Sequence, residues 1–378
     1  MQTDLVIIGA GLAGSCLAAA VAQRGWQVLL LERQRAARHK VCGEFLSPES
    51  QASLHALGLH ATVAGLRPAH MQHATLVSRR GQHLALDLPG TAWGISRYAL
   101  DPALADAAAA HGATVQRGVT GTATRQHHGG FQVDLRAADG TRSMIDARTA
   151  VVACGRHAVP GLKPHTGETE RAKFYVGVKC HYVGLPRAND VKLYLFDGGY
   201  VGLSPIEAGR ANLCLLATEA AFARAGKQPV AMLDAVVRAN PALAQVLAGG
   251  TRLDETIVTV AAVDTGRPTV LWDGCARLGD AATMIPPLCG DGQAMAIHAA
   301  ALCAPLVDEV LAGRRTIGQW QAAYSRAWHA EYDQPLRTAR RLQALLAHPQ
   351  ISEALLGAGR LLPTIAQQMV LATRGAGA

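Results

Sequence analysis

The sequence predicts an α/β protein: a Rossmann-like domain with a parallel sheet, an interleaved antiparallel β-sheet domain, and C-terminal helices. Three observations predict it. A Gly-x-Gly-x-x-Gly turn stands between a strand and a helix at the N-terminus. Short β runs broken by Gly- and Asp-rich turns fill the middle, and an apolar helical stretch closes the chain.

Composition narrows the function before any motif does. Of 378 residues, 49% are apolar and 17% charged, and the mean hydropathy is +0.13. This excludes disorder as the dominant state. Aromatic residues reach only 4%, too few for base-stacking modules. The 36 basic and 28 acidic residues leave a net charge of +8, but most arginines are scattered. Two clusters stand out, Arg33, Arg35, Arg38 and Lys40, and Arg337, Arg340 and Arg341. No nucleic-acid partner is expected. The eight cysteines form no Cys-x-x-Cys pair and the 15 histidines no His-x-His or His-x-x-x-His pair, so neither a disulfide framework nor a metal centre is predicted. A reducing, cytoplasmic location follows, with transient contact at a membrane periphery left open.

Residues 5–22 carry no charge and could be scored as a membrane span. Gly9, Gly11 and Gly14 divide them instead into a strand (Asp4 to Ile8), a turn, and a helix running from Ser15 to Arg24. A second strand, Trp26 to Leu31, ends at Glu32. In such a unit the first glycine permits the turn, the second admits a pyrophosphate, and the third lets helix pack on strand. The helix N-terminus attracts phosphate. Glu32, eighteen positions after Gly14, is placed to accept hydrogen bonds from a ribose.

Near residue 276 an apolar strand ends at Gly279-Asp280, and a long Ala-rich helix starts close to Gly290-Asp291-Gly292 after Pro286-Pro287. Together with the N-terminal turn, this resembles the FAD-dependent superfamily of para-hydroxybenzoate hydroxylase-type monooxygenases, geranylgeranyl reductases and flavin-dependent halogenases. The resemblance covers roughly residues 1–345 and is most specific at its two ends. It implies a glutathione-reductase-like FAD-binding domain, with Asp280 on a ribitol hydroxyl. Pro287, Gly290 and Gly292 would bring a helix N-terminus under the flavin pyrimidine ring, where it stabilises the negative charge of reduced flavin. Arg33 and Arg97 are further cofactor candidates, Arg97 by its likeness to an arginine near the FAD phosphates of related flavoproteins.

Between the motifs, a helix to His111 leads into a three-stranded meander ending with the strand Thr149 to Cys154. Four strand candidates follow, Lys173 to Val183, Val191 to Phe196, Tyr200 to Ile206 and Asn212 to Ala217, joined by turns at 197–199 and 207–210 and forming one antiparallel sheet with a hairpin over Ala74 to Leu88. The expected domains are residues 1–72, 95–157 and 263–315 for FAD, 73–94 and 158–262 for substrate, and a helical region at 316–378. Pro335, Pro349 and Pro363 mark expected breaks in the last.

For chemistry the candidates are Cys42 and Glu44, in the segment Lys40-Val41-Cys42-Gly43-Glu44-Phe45. Geranylgeranyl reductases carry a Cys-Gly element in the comparable place. Cys42 is a redox-active or buried thiol, and Glu44 an acid–base group or a partner for a helix N-terminus. The Asp-Gly motif of aromatic hydroxylases is absent from Ala153-Cys154-Gly155-Arg156-His157-Ala158, and so is the halogenase Trp-x-Trp-x-x-Pro signature. NAD(P)H or another external donor would therefore act without a Rossmann unit of its own. The resemblance leaves three readings open. The first is a monooxygenase of secondary metabolism, hydroxylating an apolar phenolic or polyketide-type molecule. The second is a geranylgeranyl reductase-like enzyme reducing C=C bonds of a prenyl or lipid substrate, and the third a catalytically silent flavin-binding protein.

Overall fold

The computed structural model describes residues 2–156, 174–346 and 348–374. His157, Ala158 and Lys173 lie outside the described residues.

The first sheet has eight strands. Its parallel centre runs Cys275–Arg277, Arg142–Val152, Gln2–Ile8, Val28–Glu32 and Thr114–Arg117. The strands Val119–His127 and Gly130–Ala137 fold back onto Arg142–Val152 as the meander. Parallel strands buried on both faces read as continuous apolar runs, and Leu5, Val6, Ile7 and Leu30 are fully buried. The helix Leu12–Ala22, buried along its whole length, packs on Arg97–Ala110 and on Gly292–Leu311. Gly292–Leu311 is long and apolar enough to cross a membrane, but half of its most apolar window is buried inside the fold.

A second eight-stranded sheet takes the order Thr251–Asp264, Phe174–Val183, Ala211–Thr218, Gly199–Pro205, Asp190–Phe196, Ala69–Val77, His83–Gly94, Phe45–Leu46. It is antiparallel except where Asp190–Phe196 meets Ala69–Val77. One face lays Val178, Cys180, Leu213 and Leu215 against Met232, Leu233 and Leu243 of the helices Pro229–Ala239 and Pro241–Leu247. The opposite face turns toward the first domain. The hairpin strands Ala69–Val77 and His83–Gly94 are longer than Ala74 to Leu88, so the sheet begins before residue 73.

Pro335 breaks nothing. It sits inside the single helix Ile317–Leu346. A proline there forfeits one backbone hydrogen bond, but Trp320, Tyr324, Trp328, Tyr332 and Leu336 recur every four residues and bury one face almost completely. That packing holds the helix together. Pro349 and Pro363 do start new helices, at the first turn where a missing N–H costs nothing.

Candidate active site

Three strand ends meet at one edge of the first sheet. Ile8 and Val152 are in parallel register, as are Val152 and Arg277. Ala153 N–H donates to Ile8 O at 2.8 Å and Leu278 N–H to Val152 O at 3.0 Å. Gly9 and Gly279 therefore leave the sheet at the same edge, on either side of Ala153. A Cβ on Gly279 would stand 3.5 Å from Ala13 and 3.6 Å from Ala296, so the acidic strand tip lies between the two N-terminal helix turns.

The three motif glycines differ in what they need. Gly9 has a left-handed φ of +109°, and a Cβ on Gly14 would fall 1.9 Å from Gly9 O. Gly11 is extended, with φ −81° and ψ −169°. Its Cβ would meet nothing within 4 Å except Arg97 Nη2 at 3.8 Å. The space above Gly11 is thus bounded by a helix N-terminus and a guanidinium, a setting for phosphate. Glu32 accepts from Ala10 N at 3.2 Å and Gln34 N at 2.9 Å, which fixes the turn. Arg33 is exposed.

Arg97 opens the helix Arg97–Ala110 and chelates Asp101, at 2.6 and 3.0 Å, while Lys40 reaches the same carboxylate at 2.5 Å. Burial pulls the Arg97 guanidinium down, and Asp101 and the Cys42 sulfur outweigh it and hold it fully charged. Burial raises the Asp280 carboxyl, against the pull of Arg97, Arg156, Arg267 and Lys40. Pro287 belongs to the tight turn Pro287–Cys289, Gly290 takes a left-handed φ of +75°, and Gly292 is the first residue of its helix.

Asp291 stands at the N-cap position of that helix without a side-chain bond to it, its Oδ1 3.3 Å from Arg374, which also binds Glu49 at 2.9 Å. Burial lifts the Asp291 carboxyl to about 7, Arg374 opposing and Glu49 assisting. A carboxyl whose pKa is raised by folding adds stability that is complete below its unfolded value, near 3.8, and lost as pH rises toward about 7. Asp291→Asn is expected to flatten this dependence, worth about 4 kcal/mol at most. Melting temperatures at about pH 5 and about pH 8 would check it: the wild type falls more between them than the variant.

Cys42 lies where the domains meet. Its Sγ is 3.2 Å from Gln293 Nε2, in the first turn of Gly292–Leu311, and its carbonyl accepts from Asn212 Nδ2 at 3.0 Å. Ser204 Oγ donates to Gly43 O at 3.0 Å. Burial raises the thiol above its ordinary range, with Arg97 pulling the other way. It is therefore a protonated thiol at neutral pH, and not a thiolate.

Glu44 takes a left-handed φ of 53° and is wholly buried. Its Oε1 accepts from Arg97 N at 3.0 Å, the first amide of that helix, and from Lys179 Nζ at 3.1 Å. His181 Nε2 is 2.6 Å from Oε2. His39 Nδ1 is 3.2 Å from Lys179 Nζ, and the His39 ring stacks on Tyr98. Burial, then Lys179 and His181, lower His39 to about 4. It is neutral near pH 7, so Nδ1 can accept from the ammonium.

Ligand atoms of His39, Glu44 and His181 lie within 4.8 Å of one another, a grouping the sequence spacing did not suggest. The Lys179 ammonium, in contact with two of them, already supplies a positive charge there. Sequence reading missed Lys179, His181, Asn212 and Gln293. The one signal was Lys179 and His181 alternating with Val178, Cys180 and Tyr182, which reads equally well as a wetted strand face.

The FAD binding domain family matches residues 2–190. The chain belongs to this FAD-binding family. It is an FAD-dependent oxidoreductase, and the residues fit the cofactor. The Gly11 space is open and faces a fixed cation, and buried acceptors without partners, Gln293 Oε1 and Asn212 Oδ1, flank Cys42. The flavoprotein is 27% identical to a menaquinone reductase of Mycobacterium tuberculosis, covering 92% of this chain and 85% of that one. It is 28% identical to a digeranylgeranylglycerophospholipid reductase of Methanopyrus kandleri, covering 90% and 85%. Its fold matches a geranylgeranyl bacteriochlorophyll reductase-like protein of Thermoplasma acidophilum, with a TM-score of 0.75 at 19% identity over 92% and 88% of the two chains. A myxobacterial chondrochloren halogenase is as similar, with a TM-score of 0.75 at 22% identity over 87% and 79%.

Proposed function

We propose that this flavoenzyme reduces a carbon–carbon double bond in a large apolar, isoprenoid-type molecule, with Cys42 as the proton donor. FAD, reduced by NAD(P)H or another external donor, supplies the hydride when bound. Its phosphates would be held by Gly9, Gly11, Gly14 and Arg97, with Glu32 and Arg33 toward the ribose, Asp280 at the ribitol, and Pro287, Gly290 and Gly292 at the flavin. Hydride addition to one carbon leaves the other needing a proton, and an acid must therefore stand in a dry site.

The protonated, buried Cys42 thiol carries the reading, being held by Gln293 beside the second nucleotide helix. The names of the two reductases described above, each aligned over 90% or more of the chain, agree with it. A thiol that donates its proton becomes a thiolate beside Arg97, whose charge stabilises it. The apolar phenol or polyketide monooxygenase is the second reading. A 36% identical stretch of 89 residues, 24% of this chain, shared with a squalene epoxidase of Gibberella zeae supports the oxygen-inserting part of that reading alone.

The test is to reduce the purified flavoprotein without oxygen and add a prenylated quinone or a geranylgeranyl lipid. Return of flavin absorbance with a product heavier by two hydrogens supports the reductase. Reoxidation only on admitting oxygen, with a product heavier by one oxygen atom, supports the monooxygenase. Cys42→Ala should keep its flavin and lower the rate of substrate-driven reoxidation about 100-fold. An unchanged rate would remove Cys42 as the acid.

A further inference from the structure

The C-terminal helix pair is bare where the rest of the fold is covered. Of the eleven large apolar side chains exposed among the described residues, seven fall between Leu345 and Leu371. Leu361 is 83% exposed, Leu362 54%, Ile365 51% and Met369 40%. Scattered single residues would be ordinary, but this many in one short segment form a patch. The helices Pro349–Leu361 and Pro363–Leu371 are seated by another face. Leu356, Ala366 and Val370 pack on Leu84, Leu86 and Leu195, and Gln367 donates to Asp87 O. In Pro363–Leu371 the seated residues lie at 366 and 370, while Leu362, Ile365 and Met369 follow a second helical stripe left exposed by the described residues.

The charge around the patch is mainly basic, with Glu353 and Asp87 as its acids. Residues 361–373 carry no charge at all, and residues 337–374 hold five arginines against the single Glu353, although Arg374 is buried against Glu49 and Asp291. Arg337, Arg341 and Arg360 are exposed and make no ion pair among the described residues. Arg360 adjoins Leu361. The nearby hairpin turn adds Arg79 and Arg80, since a Cβ on Gly359 would press on Leu84.

We propose that this patch is an interfacial docking surface for an anionic lipid bilayer. The apolar stripe would enter the acyl boundary while the arginines engage the lipid headgroups. A second copy of the chain is the poorer match. Isologous pairing would set the exposed arginines against one another, with only Glu353 and Asp87, the latter held by His73, as acids to meet them. The inference does not rest on which reaction the flavin carries out.

Co-sedimentation of the holoprotein with vesicles tests it. Binding is expected to vesicles of phosphatidylcholine and phosphatidylglycerol, at least tenfold stronger than to phosphatidylcholine alone, and to weaken as salt is added. Replacing Leu361, Leu362 and Ile365 by serine together should cut binding to the anionic vesicles at least tenfold, with flavin content and melting temperature unchanged. Arg337→Gln with Arg341→Gln and Arg360→Gln should abolish the preference for anionic lipid. The proposal falls if the wild type stays in the supernatant with both vesicles. It falls equally if the serine variant binds as well as the wild type, or if that variant only breaks a dimer while vesicle binding persists.

Discussion

Gly11→Val is expected to give a folded protein without flavin. The reasoning rests on what each motif glycine is for. Gly11 has an extended backbone that any residue adopts, and its Cβ would meet only Arg97 Nη2 at 3.8 Å. Nothing in the protein itself requires a glycine there. The requirement comes from the ligand, whose phosphates must approach the backbone between the helix N-terminus and Arg97. Valine fills that space, so flavin affinity should fall at least ~100-fold, about 2.7 kcal/mol. Stability without flavin should move by no more than about 0.5 kcal/mol. Gly14→Val is the contrasting variant. A Cβ at Gly14 would stand 1.9 Å from Gly9 O and 3.2 Å from Ile7 Cγ2, so the helix can no longer lie on its strand, and the protein should fail to fold. Visible absorbance and thermal unfolding of the purified variants separate the two effects. Full flavin occupancy in Gly11→Val would detach the glycine turn from the cofactor.

The difference between those glycines also marks how far the sequence could be read. Both nucleotide motifs are local. A turn, a helix start and the strand before it are specified by neighbours in sequence, so the parallel unit and the Gly279-Asp280 tip are legible from residue types alone. The antiparallel sheet was legible as strands but not as faces. Whether Lys179 and His181 point to solvent or inward depends on pairing with Cys214 and Asn212, and with Val258 and Leu253, and a one-residue slip reverses it. The three helices between residues 219 and 247 went unread because the strand pattern on either side dominated, although Pro229 and Pro241 each open one. In the sequence Pro335 reads as punctuation because its cost is local, whereas the aromatic stripe that offsets it is a tertiary feature. Glu44 was legible as a candidate but not as a junction. Its three donors come from residues 53 to 137 positions away.

Lys179→Met tests that junction. Lys179 and Glu44 are both fully buried, and the lysine is one of three donors that hold the carboxylate. Removing only the ammonium leaves a buried charge served by one amide and one imidazole, at a cost of about 3–5 kcal/mol. The loop carrying Cys42 should loosen with it. That loop is tied to the same sheet through Asn212 and Ser204, and Glu44 follows Cys42 by two residues. The pair as a whole contributes far less than its breaking costs, because each charge gave up its hydration to enter the fold. Adding Glu44→Gln to Lys179→Met should therefore recover stability, with a coupling of about 1–3 kcal/mol between the two sites. Chemical unfolding of the two single variants and the double variant measures it. Strict additivity would mean that the lysine and the glutamate do not act as a pair. Flavin reoxidation by substrate gives a second readout. If the junction positions the Cys42 thiol, the double variant regains stability but not the rate, because a methionine and an amide do not rebuild the charged clamp beside Arg97.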